Sequence, residues 1–266
     1  MRYLRSAFPL WLVVAGLHCF GETNPQGQPF TCVANTGTPV IVRVEGITEL
    51  VGDLLLQCTG GTPTPAGKPI PLTNLRLTLN TNVTSTLLPG GSVDALLLID
   101  NPYPPATVQV PSFVTPPQNT PPQIFCPSVY GCPGLGAPQG QSPYVARSAS
   151  TVYVARSGAA NAVEWDGVPI DAPGTVGVRI VRITNVRANA TQLGLSSTLI
   201  PIQIVGFIEN TGGQFFAINN PQQTLATISQ GLPPSAISAP TLVSLPHCQT
   251  HDDPSHRIQR RISRLT

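Results

Sequence analysis

Apolar residues recur along this chain in short runs, separated by clusters of Gly, Pro, Asn and Thr. Leu72–Thr84 (LTNLRLTLNTNVT) alternates most cleanly, with Leu75, Leu77 and Leu79 on one parity and Arg76, Thr78 and Asn80 on the other. A period of two sends one set to a core and the other to solvent, which predicts a strand. Val40–Gly46 (VIVRVEG) and Leu50–Thr59 (LVGDLLLQCT) predict two more. Val93–Asp100 (VDALLLID) is apolar on both parities and predicts a buried strand, stopped by Asn101-Pro102. Further strands are predicted at Tyr144–Ala155, Ala162–Trp165, Thr175–Ala188, Leu199–Glu209, Gln214–Ile218 and Gln222–Ser229. Their turns fall at Gly158–Asn161, Asp171–Gly174, Gly212-Gly213 and Asn219–Pro221. No stretch sustains a helical period, so the chain is read as all-β. Many short strands at this spacing point to an immunoglobulin-like two-sheet β-sandwich.

One strand breaks the pattern. RIVRITNVRANA, residues 179–190, contains Arg179, Arg182 and Arg187. Val178 and Ile180 share one parity, Val181 and Ile183 the other, which predicts a β-bulge near Ile180-Val181 or a strand buried on both faces. Arg182 differs in parity from Arg179 and Arg187, so the three form no single basic stripe. Each is expected to meet a carboxylate or solvent separately. The pentapeptide YVARS occurs twice, at 144–148 and 153–157; two copies do not make a solenoid.

Twelve prolines between positions 101 and 143 change the picture. Proline removes ladder donors, so this segment is read as a long loop or crossover, with Val108–Val114 a candidate edge strand. It either interrupts one β-sandwich domain spanning residues 22–246 or joins two smaller ones.

The 266 residues carry a formal charge of +2, but the distribution is uneven. Residues 22–246 hold eight basic and ten acidic groups, a net charge of −2. A mildly acidic body argues against a nucleic-acid surface. Arg2 and Arg5 precede the short apolar run Ala7–His18, and Cys19-Phe20-Gly21 offers small residues for cleavage before Glu22. Residues 1–21 are therefore read as a signal peptide, too short in its apolar part for a comfortable membrane span. Acylation of Cys19 and a retained anchor are the alternatives. The expected location is extracellular or at the cell surface, with no stable membrane span after cleavage.

Export permits disulfides. Proximity in sequence pairs Cys32 with Cys58 and Cys126 with Cys132, leaving Cys248 over. Residues 247–266 are polar and basic, without strand pattern, and read as a disordered tail or as the foreign continuation of a truncated chain. His247, Cys248, His251 and His256 lie there beside Asp252 and Asp253, but their spacing matches no compact metal finger.

Residues 22–246 contain no histidine and one lysine, Lys68, so a Ser-His-Asp or Cys-His apparatus lacks its base. Glu164 and Asp166 flank Trp165, and i, i+2 acids on one strand face invite comparison with a glycosidase pair. An exposed polar edge explains them as well. Trp165 and Tyr153 are the candidate glycan contacts. Glu45, Glu49 and Asp53 are a candidate calcium cluster without the dense acidic loop that calcium favours. Lys68 sits in a loop, TPAGKPIP, unsuited to an isopeptide crosslink. Asn82-Val83-Thr84 and Asn189-Ala190-Thr191 are glycosylation sequons.

VEGITELVGDLLLQCTGGTPTPAG (44–67), LTLNTNVTSTLL (77–88) and GVPIDAPGTVGVRIVRITNVRANATQLG (167–194) together resemble a largely uncharacterised group of exported, β-sandwich-rich surface proteins of soil bacteria. The resemblance spans most of residues 37–230 and implies a surface or matrix protein, without supplying catalytic residues. After about Leu245 the sequence departs from what the resemblance implies, since a longer member would continue in strand-like sequence. The expected function is non-enzymatic: adhesion, extracellular matrix or envelope structure, without a cofactor, with an extracellular protein or glycan surface as partner. A carbohydrate-binding module and a self-assembling filament subunit are the alternatives.

Overall fold

The computed structural model describes residues 30–101, 122–138, 141–196 and 201–231. Its strands are β1 (Phe30–Thr36), β2 (Val40–Arg43), β3 (Glu49–Leu50), β4 (Leu54–Gly60), β5 (Leu72–Leu79), β6 (Ser92–Ile99) and β7 (Phe125–Cys126). They continue as β8 (Val152–Ser157), β9 (Ala162–Pro169), β10 (Gly174–Thr184), β11 (Arg187–Ala188), β12 (Gln203–Gly213), β13 (Ala217–Asn219) and β14 (Gln222–Ser229). Two short 3₁₀ turns are the only helical elements among the described residues. No helix there is long and apolar enough to cross a membrane.

Twelve strands share one hydrogen-bonded sheet in the order β13-β1-β4-β10-β6-β8-β9-β5-β12-β14-β2, with β7 added beside β8; β3 and β11 pair separately. Most neighbours are antiparallel, while β1–β13, β14–β2 and β7–β8 run parallel. The sheet curls until β1 returns to β14. Thr36 Oγ1 donates to Thr224 O at 3.3 Å, Gln223 Nε2 donates to Ala34 O at 3.1 Å, and Gly52 N–H donates to Leu225 O at 3.0 Å.

Inside the curl lies one apolar core, in which Trp165, Tyr144, Tyr153, Phe30 and Phe216 are the largest buried side chains. Leu75, Leu77 and Leu79 point into it as the alternation predicts, while Arg76 faces outward. Removing a buried Leu side chain of this kind costs about 2–5 kcal/mol. Phe30 stacks on Phe216 with ring centroids 4.6 Å apart, tying β1 to the segment before β13. The disulfide Cys32–Cys58 bridges directly opposed residues of β1 and β4, and Cys126–Cys132 closes the short loop after β7.

Several expectations need correction. β1 has no counterpart among the predicted strands, although its burial alternates: Phe30, Cys32 and Ala34 inward, Thr31 and Val33 outward. The strand expected over Tyr144–Ala155 begins only at Val152. Residues 143–147 are a turn closed by Ala146 N–H to Ser142 O (3.0 Å), with Arg147 in the left-handed region at φ 61°. The first YVARS is thus mostly turn and the second mostly strand, because tertiary contacts override local propensity. Gly212-Gly213 ends β12 beside a register shift instead of forming a turn between strands. The bulge in β10 lies between Gly174 and Val178, not at Ile180-Val181, where the register with β4 is continuous. The cause is Arg179 itself: it shares the core face with Val181 and Ile183, so the apolar alternation is regular with one position occupied by arginine. The candidate edge strand Val108–Val114, Cys19, the region 1–21 and the tail residues His247 to His256 lie outside the described residues.

Candidate functional site

The register across four neighbouring strands assembles a row of charges on the solvent side. Glu209 of β12 is opposite Arg76 of β5, Arg76 opposite Glu164 of β9, and Glu164 opposite Arg156 of β8. Outward residues that face each other across antiparallel strands are close enough to pair. Arg76 Nε donates to Glu164 Oε1 at 2.7 Å, and its Nη1 reaches Glu209 Oε1 at 3.4 Å. Arg156 bonds Glu164 through Nη2 and donates from Nε to Asp166 Oδ2 at 2.9 Å. Hydrogen bonding to Glu164 raises the Arg76 pKa, and bonding to Asp166 raises that of Arg156. Glu164 and Asp166 therefore do share a face, as their spacing predicts, and both lean on Arg156.

At the end of this row β8 and β9 diverge, and β7 pairs with β8 in the gap. The loop that follows is closed by Cys126–Cys132 and laid against β9. A Cβ on Gly131 would stand 2.0 Å from Gly167 O, and one on Gly167 would stand 2.3 Å from Tyr130 O. Both glycines have positive φ, 90° and 60°, so the contact depends on residues without side chains. Asn74 Oδ1 accepts from Gly167 N–H at 2.8 Å and holds the underlying bulge. Within the loop, Ser128 Oγ accepts from Tyr130 N–H at 3.1 Å. The Tyr130 side chain projects outward, 74% exposed.

A second polar cluster is buried on the core side. Arg179 Nη1 bonds Asp100 Oδ2, its Nε donates to Asp171 O at 3.2 Å, and its guanidinium lies 4.5 Å from the centroid of the Tyr144 ring. Tyr144 Oη donates to Pro169 O at 2.6 Å and accepts from Asp171 N–H at 2.9 Å. Burial pushes the Tyr144 phenol upward and outweighs Arg179 at Asp100, whose carboxyl also rises. The cluster ties together residues on both sides of the Pro-rich segment, Asp100 before it and Ser142 and Tyr144 at its far end. It is a closed structural knot: its groups are buried and answer one another.

No protein-family model, curated protein or solved structure matches this chain. The remaining sequence candidates are therefore judged on geometry. Trp165 and Tyr153, the expected glycan contacts, are core residues at 0% and 2% exposure, and a buried ring has no face free to stack on a sugar. Tyr153 Oη donates to Ser150 O at 2.9 Å, while Trp165 Nε1 has no hydrogen-bond partner. Glu45, Glu49 and Asp53 do not converge: Asp53 accepts from Arg182 Nε at 2.7 Å and Thr184 Oγ1 at 2.6 Å, and Glu49 lies 3.6 Å from Arg43. Among the described residues no group of three His, Cys, Asp or Glu side chains is placed to hold a metal ion. Lys68 is exposed in its loop. The two sequons adjoin, with Asn189 N–H donating to Asn82 O at 2.9 Å.

A groove of about 460 Å³ opens between the β1–β2 turn and β4, lined in part by Pro39, Leu50, Leu55 and Arg182, and the charge row does not border it. Tyr130, Arg76, Arg156 and Glu209 were not singled out from sequence. The signal for Tyr130 was present: an aromatic residue among only five enclosed by a disulfide has little room to bury itself.

Proposed function

We propose that the chain is a non-enzymatic, exported β protein of the cell surface or extracellular matrix, serving adhesion or envelope structure. The observation that carries this reading is the engagement of the candidate carboxylates. Glu164 and Asp166, the pair suited to acid–base work, are bound by arginine on an open solvent face, in a body without histidine. A general acid needs a carboxyl free to reach the scissile bond and a cleft that holds that bond; here the carboxylate oxygens are taken up by Arg76 and Arg156. The two disulfides are consistent with an oxidising compartment and so support export through residues 1–21. The resemblance to exported surface proteins of soil bacteria agrees with this. We read the curled sheet as the two layers of an immunoglobulin-like sandwich, supported by the return of β1 to β14 over a shared core.

Self-assembly is the second reading, favoured by one observation: among the described residues β2 ends the sheet, pairs only with β14 and carries Ile41 at 77% exposure. The adhesion reading is tested by adding the purified full chain to cells or matrix of the producing organism. Saturable retention, without turnover of ester, peptide or glycoside substrates, is expected; steady hydrolysis of any of them contradicts it.

A further inference from the structure

The adhesion reading leaves the partner open, and the Tyr130 loop with the adjoining charge row narrows it. We propose that Tyr130 and the row Asp166-Arg156-Glu164-Arg76-Glu209 form a binding site for a neutral polysaccharide. The proposal rests on the adhesion reading and names the partner class for it.

At 74% exposure Tyr130 contributes little to the core, yet the backbone beneath it is fixed by a disulfide, a glycine–glycine contact and two hydrogen bonds to Ser128. An aromatic ring on an already ordered loop loses little conformational freedom when it binds, which is how aromatic recognition residues gain affinity. The faces of sugar rings carry C–H groups that stack on such a ring, whereas the buried Trp165 and Tyr153 offer none.

The backbones of Gly131 and Gly167 touch, and successive Cα atoms are about 3.8 Å apart. The Cα atoms of Tyr130 and Asp166 therefore lie within roughly 12 Å, inside the reach of a short oligosaccharide. From β8 to β12 the row crosses three inter-strand gaps, about 14 Å at the usual strand spacing.

Each sugar hydroxyl both donates and accepts, and the row alternates carboxylate acceptors with guanidinium donors. Four of the five groups remain reachable, Arg76 at 41% exposure, Glu209 at 38%, Arg156 at 35% and Asp166 at 22%, while Glu164, at 12%, links the two arginines from beneath. Three carboxylates against two guanidiniums leave the row at −1, which disfavours nucleic acids and acidic polysaccharides. A protein partner would call for an apolar centre, where charged side chains are depleted. The row consists of charges.

The test is affinity electrophoresis of the full chain through native gels containing neutral α-glucan, β-glucan, mannan, xylan or chitin-type polymers. Retardation by at least one is expected. Tyr130→Ala should weaken it tenfold or more, Tyr130→Trp should preserve it, and Arg156→Ala should weaken it severalfold. Trp165→Phe, confirmed folded, should leave it unchanged. No retardation in any polymer overturns the proposal, as does retardation indifferent to Tyr130→Ala. If the chain binds cells stripped of polysaccharide but no glycan, this site falls and adhesion stands; if it binds neither, both fall.

Discussion

Arg179 and Arg156 stand in the same sheet and each bonds an aspartate, yet the side chain of Arg179 is 6% exposed and that of Arg156 35%. Arg179 faces the core, where a lone charge is intolerable, so Asp100, the Asp171 carbonyl and the Tyr144 ring surround it. Arg156 faces water, where its two carboxylate partners are optional for stability. The same kind of ion pair is thus a structural commitment inside and a solvent-accessible polar surface outside. Burial, not charge, decides which.

The largest expected effect comes from breaking the inner pair. Arg179→Met alone should destabilise the fold by about 3–5 kcal/mol in denaturant unfolding, because Asp100 is left buried without its partner. Adding Asp100→Asn, which suits the left-handed backbone at φ 52° and keeps an acceptor for Ile180 N–H while removing the charge, should recover much of that loss; a double variant as weak as the single would place the stability in the pair itself. Removing the Cys32–Cys58 disulfide should cost roughly 2–4 kcal/mol, and removing Cys126–Cys132, with its shorter loop, less. Thermal unfolding of Cys→Ala pairs measures both.

The inner pair also has a pH signature. Burial outweighs Arg179 and lifts the Asp100 carboxyl above its ordinary value of 3.8. A carboxyl raised in the folded state takes up its proton there first, so folding gains as pH falls through the raised value toward 3.8. The stability difference between the parent and Asp100→Asn should therefore shift toward the parent over that acid window. A shift in the opposite direction would mean that Arg179 outweighs desolvation.

Outside, Arg76→Ala or Arg156→Ala should change stability by about 1 kcal/mol or less, with a difference that shrinks in high salt. Tyr130→Ala should move it by roughly 0.5 kcal/mol at most. A larger loss at Tyr130 would make the loop a structural element and weaken its case as a contact.

Much of the fold was legible in alternation. Leu75, Leu77 and Leu79, the extent of β14 and both disulfide pairs follow from parity, turn residues and spacing. Arg179 shows where that reading fails. Arginine at a core-facing position looks like a slip in phase, and only its partner Asp100, just past the end of β6, restores the period. Tyr144 and Tyr153 begin identical pentapeptides, so nothing local distinguishes them; a hydrogen bond to Pro169 draws the first into a turn, while β6 and β9 claim the second copy for the sheet. The charge row was invisible for a similar reason. Its members are scattered from residue 76 to residue 209, and only strand register brings them together.

Fractionating cells that make the protein, with thiols blocked at lysis, tests the central claim most directly. The chain should be recovered outside the cytoplasm, in the envelope or matrix fraction, with Cys32–Cys58 and Cys126–Cys132 oxidised. Recovery from the cytoplasm with those four thiols free would contradict it.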